Sequence, residues 1–165
     1  MKKGITFGAF DLFHAGHVLM LQEARTVCDY LIVCIQTDPS IDRESKNSPI
    51  QSLIEREIQI TACKYVDEIM VYTTEADLIE ILDTVDWDVR VLGDEYQDKD
   101  FTGRDKYLNK CYFNKRPHTF SSSELRQRVA DKEINKNSYL ISLLEFTFLS
   151  QSDNIITSWL NEFLL

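Results

Sequence analysis

Apolar runs and helical spacings alternate along this chain, and that alternation limits the fold more than any other feature. Ile5 to Phe7 is a short β-prone run closed by Gly8. Val18, Leu21, Ala24 and Val27 then repeat at helical spacing. Tyr30 to Ile35 is a continuous apolar run, the pattern of a strand buried on both faces. Helical spacing returns over Leu53 to Tyr65, and Asp67 to Tyr72 reads as a third strand. Glu75 to Thr84 predicts a helix with Leu78, Ile79, Ile81 and Leu82 facing inward, and Asp88 to Leu92 a fourth strand stopped by Gly93. Cys111 to Phe113 predicts a short fifth strand and Ser121 to Ala130 a helix, while Asp38 to Pro49 and Asp94 to Lys110 read as polar loops. Strands separated by helices pair in parallel through crossovers. The expected fold is therefore α/β, a parallel sheet with helices on both faces. Ligands of such sheets bind beyond the carboxyl ends of the strands. Chemistry is expected in the loops after strands one, two and four.

Charge and composition exclude several functions. Lys plus Arg number 18 against 27 Asp plus Glu, a net charge of −9, which repels phosphate backbones and argues against a general nucleic-acid binder. The four cysteines form no CxxC pair and lie in apolar surroundings, so they read as reduced core thiols of a cytoplasmic protein. The basic start, Met1-Lys2-Lys3, lacks the apolar stretch of a signal peptide, and no run reaches the roughly 20 apolar residues of a membrane span. No Gly/Ser-rich linker interrupts the main domain, expected over residues 1–131. Residues 132–165 form an expected C-terminal helical extension packed on the same domain. It has helices over 139–149 and 155–165, the second bearing an apolar stripe of Ile156, Trp159, Leu160, Phe163 and Leu164.

The first turn carries the clearest chemistry. Gly8-Ala9-Phe10-Asp11-Leu12-Phe13 leads into His14-Ala15-Gly16-His17, two histidines at the start of the first helix. Three apart, they share one helical face. A helix N-terminus offers unpaired N–H groups and positive dipole charge to a phosphate, and Gly16 permits close backbone approach. The same histidines could equally cap the helix, or bind a metal with Asp11 if further ligands were present. Neither GxGxxG nor GxxxxGK[ST] occurs, which argues against a dinucleotide-dependent dehydrogenase and a P-loop kinase.

Gly8 to Asp11 followed by His14-Ala15-Gly16-His17 resembles the signature of the HxGH nucleotidyltransferases, whose fold is Rossmann-like, and within them the cytidylyltransferase branch acting on glycerol 3-phosphate. Thr37-Asp38, Lys46, Arg56, Tyr65 to Glu68, Gly93-Asp94, Arg116 and Ser121-Ser122-Ser123 follow in the family's order, and the resemblance covers residues 1 to about 131. It implies transfer of a cytidylyl group from CTP to a small phosphorylated alcohol with release of pyrophosphate. His14, His17, Lys46 and Arg116 would be catalytic. Gly8, Ala9, Phe10, Gly16, Asp94, Ser121, Ser122 and Ser123 would bind the nucleotide. Asp11, Asp38, Arg56, Lys64 and Asp67 would bind the acceptor. Mg2+ would be held mainly by the nucleotide phosphates, with no protein metal cage, and the family implies a homodimer. The serine run is also common in adenylyltransferase branches, so ATP is an alternative donor, and a non-catalytic nucleotide-binding protein is a third reading. Lys64 stands where the branch often has arginine, which keeps the charge but loses bidentate phosphate binding.

Overall fold

The computed structural model describes residues 1–115, 117–136 and 139. Its elements run β1 (Lys3–Gly8), α1 (Ala15–Ala24), β2 (Tyr30–Gln36), α2 (Leu53–Thr61), β3 (Glu68–Tyr72), α3 (Glu75–Thr84), β4 (Val89–Gly93), α4 (Arg104–Tyr107) and β5 (Cys111–Asn114). The strands form one parallel sheet in the order β3-β2-β1-β4-β5. The chain winds outward from β1 through β2 to β3, then returns to the other side of β1 for β4. That reversal leaves a crevice between the carboxyl ends of β1 and β4, where a parallel sheet receives its ligand.

Alternation along the strands builds two cores. Val33, Ile35, Val89 and Val91 meet Leu21 and Ala24 of α1 and Ile60 of α2. Ile5, Ile32 and Cys34 meet Leu78 and Leu82 of α3, with Trp87 and Tyr72 closing the cluster. Helix starts follow local capping chemistry. Ser52 and Thr74 each accept an N–H from the third helical residue, and Glu55 and Asp77 return the bond.

The strands and helices predicted before residue 131 form, most with shifted ends. α1 begins at Ala15, ahead of the apolar spacing that starts at Val18, and His14 supplies its cap. α2 stops at Thr61 rather than Tyr65, where Cys63 and Val66 donate into tight turns. The polar stretch after β4, expected as a loop, contains α4 and two short 3-10 turns. The last described helix, over 122–136, runs past the expected end at Ala130. The chain divides into two compact units, Met1–Ser122 and Ser123–Leu165. Arg116 and the predicted C-terminal helices lie outside the described residues, apart from Tyr139. Among the described residues no helix is long and apolar enough to cross a membrane.

Candidate active site

The loop from β1 to α1 is held in a costly shape. Phe10 and Leu12 have φ of 51° and 50°, in the left-handed region that side chains avoid at about 1–2 kcal/mol each. Three anchors hold it. The Phe10 ring is buried in the core. The Asp11 carboxylate accepts the N–H groups of Ile50 and Gln51 at 3.0 and 2.9 Å. The Ser122 hydroxyl donates to the Asp11 carbonyl at 2.8 Å. Asp11 thus ties the loop to the entry of α2, and Ser122 ties it to the segment after β5.

That loop delivers the two histidines. Nδ1 of His14 accepts the Gly16 N–H at 3.0 Å, and Nδ1 of His17 accepts the His14 N–H at 3.4 Å. The rings stack with centroids 3.9 Å apart, and Phe13 stacks on His17 from beyond at 5.6 Å. A ring nitrogen that accepts carries no proton, so the proton of each neutral imidazole resides on Nε2. The cap therefore selects the tautomer that makes Nε2 a donor. Gly16 is required by space: a Cβ there would lie 2.8 Å from the Phe120 carbonyl oxygen and 2.9 Å from the His14 ring.

Arg56 is not a helix-surface charge. It is 2% exposed, and its guanidinium donates to the carbonyls of Ala9 and Gln36 at 2.8 and 2.6 Å and of Thr37 at 2.6 Å. It clamps the ends of β1 and β2 beneath the cleft, and burial pulls its pKa down. Asp38 caps its own loop, accepting from Ser40 and Ser48, and these bonds hold its carboxyl below the usual range.

A cleft of about 880 Å³ opens at this end of the sheet. His14, His17, Lys46, Gly8, Ala9, Phe10, Gly16 and Ser122 all line it. Asp11, Asp38, Arg56, Asp94 and Ser121 stand behind or beside it without lining it, and Ser123 belongs to the second unit. Two predicted acceptor residues fall elsewhere. Lys64 follows α2 and lies over the Tyr65 ring, and Asp67 accepts from the Leu31 N–H and pairs with Arg25. Both lie at the amino ends of the strands, the opposite end from the histidines, because α2 runs back down the sheet before β3 begins. Among the described residues no group of three or more His, Cys, Asp or Glu side chains is placed to hold a metal.

The same cleft has lining that the sequence reading missed. Arg43 pairs with Glu75 at 3.1 Å and donates to Gln36 Oε1 at 3.0 Å. Arg90 rises from β4 between the rings of Phe7 and Phe101. The available signal was an arginine inside the otherwise apolar run Val89-Arg90-Val91-Leu92.

Fold and site together define a nucleotide-transferase architecture of the HxGH kind. Residues 5–128 match the cytidylyltransferase-like family model, and the chain belongs to that family. It is 32% identical over 133 residues to glycerol-3-phosphate cytidylyltransferase of Bacillus subtilis, covering 79% of this chain and 98% of that protein. It is 37% identical over 89 residues to ethanolamine-phosphate cytidylyltransferase of Dictyostelium discoideum, covering 53% of this chain but 25% of that protein. The chain thus spans a quarter of that relative's length, and less of its counterparts from Arabidopsis thaliana and Encephalitozoon cuniculi. Among solved structures, the lipopolysaccharide core biosynthesis protein of Thermoplasma volcanium shares the fold, with a TM-score of 0.51 at 22% identity over 81% of this chain and 89% of that one.

Proposed function

We propose that this protein transfers a cytidylyl group from CTP to a small phosphorylated alcohol of the glycerol 3-phosphate kind, releasing pyrophosphate and forming a CDP-alcohol. The observation that carries this reading is the His14–His17 pair at the head of α1, whose Nδ1 atoms accept the capping N–H groups, in a cytidylyltransferase-like chain.

In the proposed reaction an oxygen of the acceptor phosphate attacks the α-phosphorus of CTP. A new P–O bond forms, the bond to the β-phosphate oxygen breaks, and pyrophosphate leaves with the bonding electrons. Charge builds on the α-phosphate oxygens as phosphorus becomes five-coordinate, and His14 and His17 donate to them. Lys46, exposed on the loop after β2, brings a mobile point charge to the phosphates. Ser122 and the strained β1–α1 loop set the position of the histidines before substrate arrives. Arg116 is proposed as a further phosphate cation from the resemblance alone. Magnesium would neutralise charge on the triphosphate, held by the nucleotide's own oxygens and water.

The test is a thermal-shift comparison of CTP, ATP, GTP and UTP with magnesium, followed by pyrophosphate release with glycerol 3-phosphate. A ligand at 100 times its dissociation constant stabilises a fold by about 2.7 kcal/mol. A CTP-selective shift with acceptor-dependent pyrophosphate release is the expected result. An ATP-selective shift would overturn the choice of base, and binding without turnover would overturn the enzyme.

A further inference from the structure

The half of the cleft on the α3 face holds a buried cation, Arg90, that no carboxylate pairs directly among the described residues. Arg90 is 3% exposed and lines the cleft. Its guanidinium carbon lies 5.1 Å from the Phe7 ring centre and 5.4 Å from that of Phe101. Nη1 donates to the Thr102 carbonyl at 2.6 Å, while Nε, like that of Arg43 and Arg56, is buried with no hydrogen-bond partner among the described residues. Among the described residues no carboxylate lies within ion-pair distance of it. Glu75, the acid on the same face, is engaged by Arg43 and by the Thr102 hydroxyl.

Burying a guanidinium in this way is costly. Two aromatic faces and one carbonyl offset only part of the desolvation of a guanidinium. Arg43, by contrast, has a carboxylate partner in Glu75. Arg90 instead presents a charge that oxygen acceptors from a ligand can meet, and a carboxylate meets it best. Its guanidinium lies beside Phe7, whose neighbour Gly8 opens the loop to the histidines. His14, His17 and Arg90 line one cleft, so a ligand with its phosphate at the histidines shares that cleft with the guanidinium. A neutral nucleobase would supply hydrogen-bond acceptors but leave the charge unpaired.

We propose that Arg90 reads the acceptor: the phosphorylated alcohol carries a carboxylate at the end away from its phosphate, this group docks on Arg90, and acceptors ending in an ammonium are rejected there. The proposal rests on the cytidylyltransferase reading and narrows its substrate class to phosphorylated hydroxy acids, with neutral polyol phosphates second and amino-alcohol phosphates last.

The experiment compares the whole chain with Arg90→Met and Arg90→Lys. CTP binding is read first, by thermal shift with magnesium. Pyrophosphate release is then followed with 3-phosphoglycerate, glycerol 3-phosphate and ethanolamine phosphate. In the unmodified protein kcat/KM is expected to fall in that order. Arg90→Met should cut kcat/KM for 3-phosphoglycerate about 100-fold, leave ethanolamine phosphate unchanged or improved, and leave the CTP shift intact. Arg90→Lys should recover part of the preference. A role confined to pinning the Thr102 carbonyl would lower all three acceptors together, so an unmoved ratio overturns the proposal. Loss of the CTP shift in Arg90→Met also overturns it, by assigning Arg90 to the nucleotide. A preference of the unmodified protein for ethanolamine phosphate overturns it without any variant. Absence of CTP binding in the unmodified protein overturns the enzymatic reading itself, and is seen before any acceptor is added.

Discussion

His14 and His17 complete each other's capping: the His14 ring takes the Gly16 N–H, the His17 ring takes the His14 N–H, and the two rings stack at 3.9 Å. Structure and proposed catalysis use different nitrogens of the same rings, so they can be separated. Asn at position 14 keeps an acceptor for the Gly16 N–H but removes the Nε2 donor. His14→Asn should unfold within about 0.5 kcal/mol of the parent while turnover falls by about 10²–10³. His14→Ala should lose both, with a further stability cost of about 1 kcal/mol. Urea unfolding and pyrophosphate release on the same preparations check this. Equal turnover in the parent and His14→Asn would reduce the pair to a helix cap.

Arg56 offers the opposite case, a charge whose work is structural. Its three short bonds go to carbonyls at the ends of β1 and β2. Met at this position matches the stem but leaves those carbonyls unpaired in a buried place. Arg56→Met should cost about 3–5 kcal/mol in urea unfolding. A cost below about 1 kcal/mol would mean that the carbonyls find water, and that Arg56 is available to a ligand after all.

How much was legible in the sequence follows from which interactions were local. α3 was readable to its ends because Thr74 caps it and Leu78 and Leu82 mark its buried face. The start of α1 was marked by the histidines rather than by its apolar spacing, and its cap is a histidine ring rather than a serine or aspartate. The HxGH run lies at the carboxyl end of β1, on the cleft. Lys64 and Asp67 lie at the other end, and motif order along a chain does not say at which end of a strand a residue falls. That depends on α2 running back down the sheet. Arg90 was hidden in an apolar strand run, and only the facing rings of Phe7 and Phe101 reveal its setting.

The placement of Lys64 and Asp67 has a direct consequence. Neither lines the cleft, and both lie at the amino ends of the strands. Lys64→Ala should leave kcat/KM for any acceptor within about twofold, as expected of a surface change away from the site. Asp67→Asn should lower stability, because the carboxylate accepts the Leu31 N–H and pairs with Arg25, while KM for the acceptor stays unchanged. Steady-state kinetics with varied acceptor decides the point. A selective rise in acceptor KM for either variant would place the acceptor site at the wrong end of this sheet.

Cys34 gives a pH prediction with a definite sign. Its thiol lies in the core between Ile5, Ile32 and Leu78, and burial pushes its pKa from 9.0 up to about 12. In the unfolded chain the thiol ionises near its ordinary value, so above about pH 9 the unfolded state binds fewer protons than the native one. The stability tied to this group is complete below pH 9 and is lost as pH rises toward 12, by at most about 1.4 kcal/mol per pH unit. Burial raises Cys28, Cys111 and Tyr72 as well, which adds slope of the same sign. Comparison with Cys34→Ala isolates the one group. The stability advantage of the parent over Cys34→Ala should shrink by about 1 kcal/mol between pH 8 and pH 10 in urea unfolding. A disulfide-forming thiol reagent should modify Cys34 only after unfolding, since the neutral buried thiol is a poor nucleophile. A constant difference between the two proteins across that range would mean that Cys34 ionises in the native state, and that the core around it admits water.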